Sequence, residues 1–183
     1  MMLFLRQLTS NDVASLNRLI EGYTSFERYD ISWRESEVSI DFQLQLIHLP
    51  KPYVKRFDLA STASYEHIVE AGLSLALFDG NTLAAIALST LQDWNRSFWL
   101  HEFHVRENYR GQGAGRQLMN AVKEKARSRE CRIVVCETQN TNVPAIRFYR
   151  RMGFRVEAVD ISLYSNSDFP DQEIALFMKC RLD

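Results

Sequence analysis

The chain has 183 residues and carries 22 basic against 23 acidic side chains, a formal net charge of −1. This length predicts a single domain. The balanced charge excludes a general nucleic-acid binder, which would present a strongly basic face. No apolar run approaches the roughly 18 residues that cross a bilayer. We therefore expect neither a membrane segment nor an N-terminal signal peptide.

The cysteines argue against metal and disulfide chemistry. Cys131, Cys136 and Cys180 have no His or Cys partners at the spacing of a zinc site. Their odd number also disfavours a disulfide framework. We expect free and mostly buried thiols, which indicates a cytoplasmic protein without a metal site.

The first 70 residues predict a strand, a helix and a second strand. Residues 3–8 are typical of a short strand, and the polar cluster at 9–12 is typical of a helix start. Apolar residues then recur at helical spacing as far as Tyr23. Strict alternation over 38–46 predicts a half-buried strand that ends at Pro50 and Pro52. Residues 53–68 have an ambiguous pattern, which is compatible with a loop and a short helix.

The rest of the chain predicts an antiparallel meander followed by alternating helices and strands. The expected strands are 73–78, 83–91, 98–105, 132–137, 154–164 and 174–181, and the expected helices are 115–129 and 142–152. The first of these helices has an apolar stripe made of Leu118, Met119, Val122 and Ala126. This order of elements predicts a mixed α/β fold with a crossover at a glycine cluster.

That cluster is the strongest local anomaly in the sequence. Gly111, Gly113 and Gly115 fall between an expected strand and an expected helix. Glycine lets a ligand approach the backbone closely, and a helix N-terminus offers unpaired N–H groups to an anion. Arg110 and Arg116 add positive charge for phosphate oxygens. The segment therefore predicts a pyrophosphate loop, although a plain glycine-rich connection is the alternative.

Two motifs resemble the GNAT superfamily of acyl-CoA N-acetyltransferases. Arg110, Gly113 and Gly115 match the spacing of its pyrophosphate loop, and residues 142–154 match its Asn-x-x-Ala-x-x-Phe-Tyr-x-x-x-Gly-Phe segment. The resemblance implies one GNAT domain over residues 1–183, with a mixed central sheet of about seven strands flanked by helices. It implies acetyl-CoA as co-substrate, a cofactor half at about 98–155, and an acceptor pocket drawn partly from 1–70 and 156–183.

The resemblance also assigns roles to individual residues. Tyr149 aligns with the tyrosine that commonly protonates the leaving thiolate, and Asn142 with the residue that contacts the pantetheine arm or nearby backbone. A core aromatic and a helix cap are the alternatives for these two positions. Cofactor contacts are further implied for Phe103, His104, Val105, Arg110, Gly111, Gln112, Gly113, Ala114, Gly115 and Arg116.

The candidate general base lies on the third meander strand. The streptothricin acetyltransferases, which the chain resembles more narrowly, carry two adjacent acids there, whereas this chain retains Glu102 alone and places histidines around it. Glu102 is the first candidate by position, directly or through water, and His101 is the second because imidazole suits proton transfer near neutral pH. On an alternating strand, Glu102 and His104 face opposite to His101 unless a bulge re-aims a side chain.

A narrower resemblance links the chain to the streptothricin acetyltransferases. It rests on Glu137-Thr138-Gln139, on the segments 159–166 and 173–177, and on Trp94-Asn95. Those enzymes acetylate an amine of a polycationic antibiotic, which implies an antibiotic-resistance function. Acceptor contacts are implied for three carboxylates and two aromatic rings, namely Asp160, Glu173, Glu137, Trp94 and Tyr164. Ordinary strand-end charges and core aromatics are the alternative.

Several functions stay open after this comparison. The lead is direct acetyl transfer to a primary amine of streptothricin or a similar cationic small molecule. The alternatives are a different amine, such as a polyamine, an amino acid or a protein N-terminus, and a non-catalytic acyl-CoA-binding domain. Many superfamily members dimerise, so the resemblance is compatible with a homodimer.

Overall fold

The computed structural model describes residues 3–57 and 65–182 of the chain. In these ranges the strands are β1 (Phe4–Gln7), β2 (Gly22–Glu35), β3 (Ile40–Arg56), β4 (Leu75–Asp79), β5 (Thr82–Gln92), β6 (Ser97–Val105), β7 (Ile133–Gln139), β8 (Arg155–Asp160) and β9 (Ala175–Arg181). The α-helices are α1 (Glu66–Glu70), α2 (Ala114–Arg127) and α3 (Val143–Arg151). Short 3-10 helices lie at Ser10–Arg18, Asp93–Asn95 and Glu107–Tyr109.

Seven strands form one sheet in the order β1-β4-β5-β6-β7-β9-β8, and β2 pairs with β3 in a separate two-stranded sheet. The β1–β4, β4–β5 and β5–β6 pairs are antiparallel, whereas β6 and β7 are parallel. A parallel pair needs a crossover connection, and α2 supplies it immediately after the glycine cluster. The predicted mixed α/β fold with a seven-stranded sheet is confirmed.

The chain divides into two compact units. The first, called the sheet unit, runs to Glu21, continues from Phe57 to Cys136 and includes the C-terminal residues from Lys179. The second, called the hairpin unit, comprises Gly22–Arg56 and Glu137–Met178. The sheet unit thus contains β1, β4, β5, β6, α1 and α2, and the hairpin unit contains β2, β3, α3 and β8.

The sheet unit has the apolar core that the sequence patterns indicate. Residues of the first 3-10 helix and of α1 pack against residues of β4 and β5. The predicted stripe of α2 is fully buried, with Leu118, Met119, Val122 and Ala126 all at 0% exposure. Removal of this apolar surface from water contributes roughly 25 cal/mol per Å² to the stability of the fold.

The hairpin of β2 and β3 is the largest departure from expectation. No strand was expected over Gly22–Glu35, and Tyr23 lies in β2 rather than at the end of a helix. The expected strand at 38–46 is real, but it continues to Arg56 as part of β3. The expectation that prolines end it was wrong, because they fall between His48 and Tyr53, where the ladder with β2 shifts register. A proline is tolerated at such a bulge since no ladder hydrogen bond is needed there.

Further differences are local. The expected half-buried face of this strand is largely exposed, with Ile40 at 63% and Phe42 at 43%. Part of the ambiguous stretch, 58–64, lies outside the described residues. β8 ends at Asp160 instead of at 164, because the Asp160 carboxylate accepts a hydrogen bond from Ser162 N–H and begins a turn.

The cysteines and the helices can be compared with the expectations about disulfides and membrane segments. All three cysteines are free and buried, as predicted. In the described part of the chain, no helix combines the length and apolar character needed to cross a bilayer.

Candidate active site

The loop between β6 and α2 has the geometry of an anion site. Gly111 and Gly113 adopt φ values of 73° and 90°, which residues with a Cβ rarely take. Gly113 is the N-cap of α2, so the first-turn N–H groups of the helix point into the loop. A Cβ on either glycine would meet no atom within 4 Å. Backbone conformation, rather than crowding, therefore accounts for glycine at these positions.

Three side chains fix the shape of this loop. Arg110 Nε donates to the carbonyl of Val105 at 2.8 Å, and Gln112 Nε2 donates to the carbonyl of Asn108 at 2.6 Å. The Tyr109 hydroxyl donates to Asp79 at 3.2 Å and ties the loop to the β4–β5 turn. Sequence reasoning missed Tyr109, since its partner lies 30 residues away. The structure thus places the predicted residues 110–113 in this loop and the predicted residues 114–116 in the first turn of α2.

A hydrogen-bonded group of three side chains lies on one face of β6. His104 Nε2 lies 2.7 Å from Glu102 Oε2, and the Tyr65 hydroxyl donates to Glu102 Oε1 at 2.7 Å. Burial, followed by the nearby carboxylate, raises the pKa of Tyr65, so its hydroxyl stays protonated as a donor. Glu102 and His104 share a face, as the alternation predicts. Tyr65 was missed because nothing local marks it.

His101 occupies a β-bulge. Glu102 lies opposite Leu88 and Leu100 lies opposite Ser89, which leaves His101 as the extra residue of β6. Its Nε2 lies 2.7 Å from Thr90 Oγ1. Desolvation of the ring lowers the pKa of His101, and the charge of Glu102 acts in the opposite direction. The sequence analysis allowed for a bulge on this strand, but no residue pattern predicted its position.

The pairing of β6 with β7 ends before Phe103, His104 and Val105, which stay paired with β5 on the other edge. The parallel register with β7 runs from Ser97 to Leu100 on β6 and reaches Cys136 on β7. On this edge of β6, the three following residues lie beyond the register with β7. They are the same residues to which the resemblance assigns cofactor contacts.

In the hairpin unit, Asn142 is the N-cap of α3 and Tyr149 lies in the last turn of the same helix. The Asn142 carboxamide oxygen accepts a hydrogen bond from Ala145 N–H at 3.3 Å and caps α3. Tyr149 is buried, and its ring centroid lies 5.6 Å from that of Phe148 and 5.4 Å from that of Phe154. Both residues thus have structural roles in addition to any chemical one.

Glu173 is held within a network of the hairpin unit. Lys55 Nζ lies 2.6 Å from its carboxylate, and the Tyr23 hydroxyl donates to it at 2.9 Å. Burial acts to raise the pKa of Glu173, but the hydrogen bonds from Lys55, Tyr23 and Tyr53 and the charge of Lys55 together hold the pKa below its usual range. Tyr53, at the same carboxylate, has its pKa raised to about 12, mainly by burial. Sequence reasoning missed these three partners, which come from the hairpin.

The other predicted acceptor residues are distributed over both units. In the hairpin unit, the Tyr164 hydroxyl donates to the Glu137 carboxylate, which joins two predicted residues. Asp160 accepts from the Ser162 main chain at 3.0 Å. In the sheet unit, Trp94 lies on the 3-10 turn before β6 with 85% of its surface exposed. All three predicted carboxylates therefore have partners inside the hairpin unit.

Residues 31–154 match the model of the acetyltransferase (GNAT) family. The chain belongs to the GNAT family. The predicted family is therefore confirmed. Within the described part of this GNAT chain, no three His, Cys, Asp or Glu side chains are grouped as a metal would require.

Similar proteins narrow the comparison within the GNAT family. Streptothricin acetyltransferase of Streptomyces lavendulae is 37% identical over 100 residues, which span 55% of this chain and 52% of that protein. Streptothricin acetyltransferase A of Bacillus subtilis (strain 168) is 31% identical over 130 residues, which span 69% of this chain and 72% of that protein. A crystal structure of nourseothricin acetyltransferase superposes with a TM-score of 0.81 and 26% identity, covering 100% of both chains.

Proposed function

We propose that this GNAT protein transfers the acetyl group of acetyl-CoA directly to a primary amine of a cationic small molecule such as streptothricin. The observation that carries the proposal is the β6–α2 loop, where two left-handed glycines precede α2 beside Arg110. Similarity to two streptothricin acetyltransferases, at 37% and 31% identity, supports the choice of acceptor class. Both units would then serve one acetyltransferase domain.

Co-substrate binding is proposed for the sheet unit. The amides of Gly111, Gln112, Gly113, Ala114, Gly115 and Arg116 would hold the pyrophosphate, and the guanidinium groups of Arg110 and Arg116 would neutralise its charge. The β6 edge from Phe103 to Val105 would hold the pantetheine arm, and Asn142 is the proposed contact from α3. Acetyl-CoA, when bound, supplies the activated acetyl group.

The reaction requires a proton acceptor, a polarised carbonyl and a proton donor. Main-chain N–H groups of β6 are suited to the carbonyl, because preorganised donors stabilise a developing oxyanion. The ammonium proton would leave to a base on β6, directly or through water, and the sequence offers Glu102 as the first candidate and His101 as the second. The Tyr149 hydroxyl would give a proton to the departing thiolate.

Acceptor recognition is proposed for the carboxylates and exposed aromatic rings. The Lys55–Glu173 pair supports this assignment, because it shows an ammonium group seated 2.6 Å from a carboxylate among tyrosine hydroxyls. Glu137 and Asp160 would add negative charge, and Tyr164 and Trp94 would offer ring faces to a cation. Nucleic acid is not a proposed partner, because the chain has a formal net charge of −1 and so no excess of positive charge.

Location and assembly are also proposals. The three buried free thiols support a reducing cytoplasmic environment. A homodimer is proposed on the family resemblance alone, and sedimentation of the purified chain would decide it.

The test is thiol release from acetyl-CoA in the presence of different amines. We expect rapid, enzyme-dependent release with streptothricin and slower release with spermidine, free amino acids and a peptide N-terminus. Faster release with one of the other amines would retain the chemistry and reject the antibiotic as acceptor. Binding of acetyl-CoA without release, whatever the amine, would reject catalysis and support an acyl-CoA-binding domain.

A further inference from the structure

We propose that His104, oriented by Glu102, is the group that takes the proton from the acceptor ammonium, and that Tyr65 is a positioning residue acting through Glu102. This inference rests on the proposed acetyl transfer. It assigns the chemistry to Nδ1 of His104, and it gives Glu102 the task of fixing the imidazole rather than removing the proton.

The contact between the two side chains sets the tautomer of His104. Its Nε2 lies 2.7 Å from Glu102 Oε2, and an ionised carboxylate only accepts hydrogen bonds. The hydrogen therefore lies on Nε2, which leaves a lone pair on Nδ1 in the neutral ring. A carboxylate that fixes one imidazole nitrogen as donor makes the other nitrogen a proton acceptor, as in serine protease triads.

Glu102 itself is poorly placed to take the proton. Tyr65 occupies Oε1 at 2.7 Å and His104 occupies Oε2 at 2.7 Å. Both oxygens already accept a hydrogen bond, and a carboxylate is a weaker base than imidazole. His101 is directed elsewhere, because its Nε2 contacts Thr90 at 2.7 Å from the bulge.

The surroundings of His104 leave Nδ1 available. Its side chain is 15% exposed, and the ring of Phe57 meets it edge-on with centroids 6.2 Å apart. Among the described residues, none forms a hydrogen bond with Nδ1. On β5, the residue opposite His104 is the apolar Ile86.

Three ionisable side chains of the described residues act on this face. Glu102 lies on the same strand, and Tyr65 reaches its carboxylate from the start of α1. His67, on α1, and Glu102 both act electrostatically on His101. The proton balance is simple: one N–H bond of the acceptor ammonium breaks, one N–H bond forms at Nδ1, and the imidazolium then releases that proton to water.

His104→Gln separates proton transfer from packing. The glutamine amide can still donate to Glu102 from the place of Nε2, but it has no titrating Nδ1. We expect kcat to fall on the order of 100-fold or more and the acid limb that imidazole gives between pH 5 and 8 to disappear. The proposed contact of residue 104 with the pantetheine arm is through the β6 main chain, so the affinity for acetyl-CoA should be retained. His48→Gln, an 86% exposed histidine on β3, is the matched control and should keep the wild-type profile.

Tyr65→Phe tests the positioning role. Loss of the hydroxyl removes one donor from Glu102 and leaves the carboxylate more negative toward His104. The acid limb of the pH profile should therefore move to higher pH, with a smaller loss of kcat than in His104→Gln. A merely structural tyrosine would lower the yield or stability of the protein without moving that limb.

A measurement on the wild-type protein removes dependence on variants and on activity. The chain has only four histidines, so two-dimensional ¹⁵N spectra resolve their tautomers. The inference predicts hydrogen on Nε2 and a lone pair on Nδ1 of His104 near pH 8. Hydrogen on Nδ1, or a wild-type pH profile in His104→Gln, would overturn it. Absence of any acetyl transfer by the wild type would instead reject the proposed function and leave the tautomer result valid.

Discussion

Asn140 and Tyr29 exchange two hydrogen bonds in the interior of the hairpin unit. Tyr29 N–H donates to the Asn140 carbonyl at 2.9 Å, and Asn140 Nδ2 donates to the Tyr29 carbonyl at 2.8 Å. The other side-chain atom, Asn140 Oδ1, accepts from Ile174 N–H at 2.9 Å. Asn140 is only 3% exposed. Its side-chain amide therefore satisfies buried main-chain groups of two separate segments.

Asn140→Ala should lower the free energy of unfolding. The substitution leaves the Tyr29 carbonyl and the Ile174 N–H without their partner, and each unsatisfied buried group costs about 1–3 kcal/mol. We expect a loss of about 2–4 kcal/mol in urea unfolding. Asn17→Ala, at an exposed position of the first 3-10 helix, should change stability by less than about 0.5 kcal/mol. Equal losses in the two variants would refute the anchoring role.

Gly113→Ala should weaken acetyl-CoA binding. Alanine at a φ of 90° is strained by roughly 1–2 kcal/mol, and relief of that strain would tilt the amides of the loop. We expect about a tenfold rise in Kd, measured by calorimetry.

Gly80→Ala is its matched control. Gly80 has a φ of 55° in the β4–β5 turn, with no atom within 4 Å of an added Cβ. It should show a similar loss of thermal stability and an unchanged Kd. Parallel changes in affinity would mean that the loop has no specific part in binding.

Tyr149→Phe should uncouple binding from turnover. If the hydroxyl donates a proton to the thiolate, kcat should fall by about 100-fold while acetyl-CoA affinity is retained. Steady-state kinetics and calorimetry on the same preparation measure both quantities. Retention of wild-type kcat would assign Tyr149 to packing with Phe148 and Phe154 alone.

Glu173 should contribute to acid unfolding. Its pKa is lower in the fold than in the unfolded chain, so the unfolded state binds more protons as the pH drops. The contribution is present above the ordinary glutamate pKa of about 4.3, and it is lost as the pH falls through the lower folded value. Glu173→Gln should therefore flatten the fall in stability over this acid window. Glu37→Gln, at an exposed position, should leave it unchanged.

The sheet could be predicted because its signals are local. β4, β5 and β6 are apolar runs separated by short turns, and the structure places them within about two residues of expectation. β2 could not be predicted, because its residues mix polar, aromatic and apolar types without a clean period and its pairing with β3 depends on distant partners. The prediction that Pro50 and Pro52 end the strand failed for the same reason, since only the pairing of β2 with β3 shows that they fall at a register shift.

In the candidate site too, local features could be predicted from the sequence and contacts between distant residues could not. The glycine loop is readable from sequence because the conformations of Gly111 and Gly113 are a local property. The partners of Glu102 and Glu173 are not readable from sequence, because they come from far along the chain. Tyr65 lies 37 residues from Glu102, and Lys55 lies 118 residues from Glu173.

The central claim is acetylation of a cationic amine, and mass spectrometry of the reaction product tests it most directly. Streptothricin incubated with the protein and acetyl-CoA should gain the mass of one acetyl group, and fragmentation should locate it on a primary amine. The gain should depend on both the enzyme and acetyl-CoA. Unmodified streptothricin after exhaustive incubation, together with acetylation of a different amine in the same assay, would contradict the proposed acceptor.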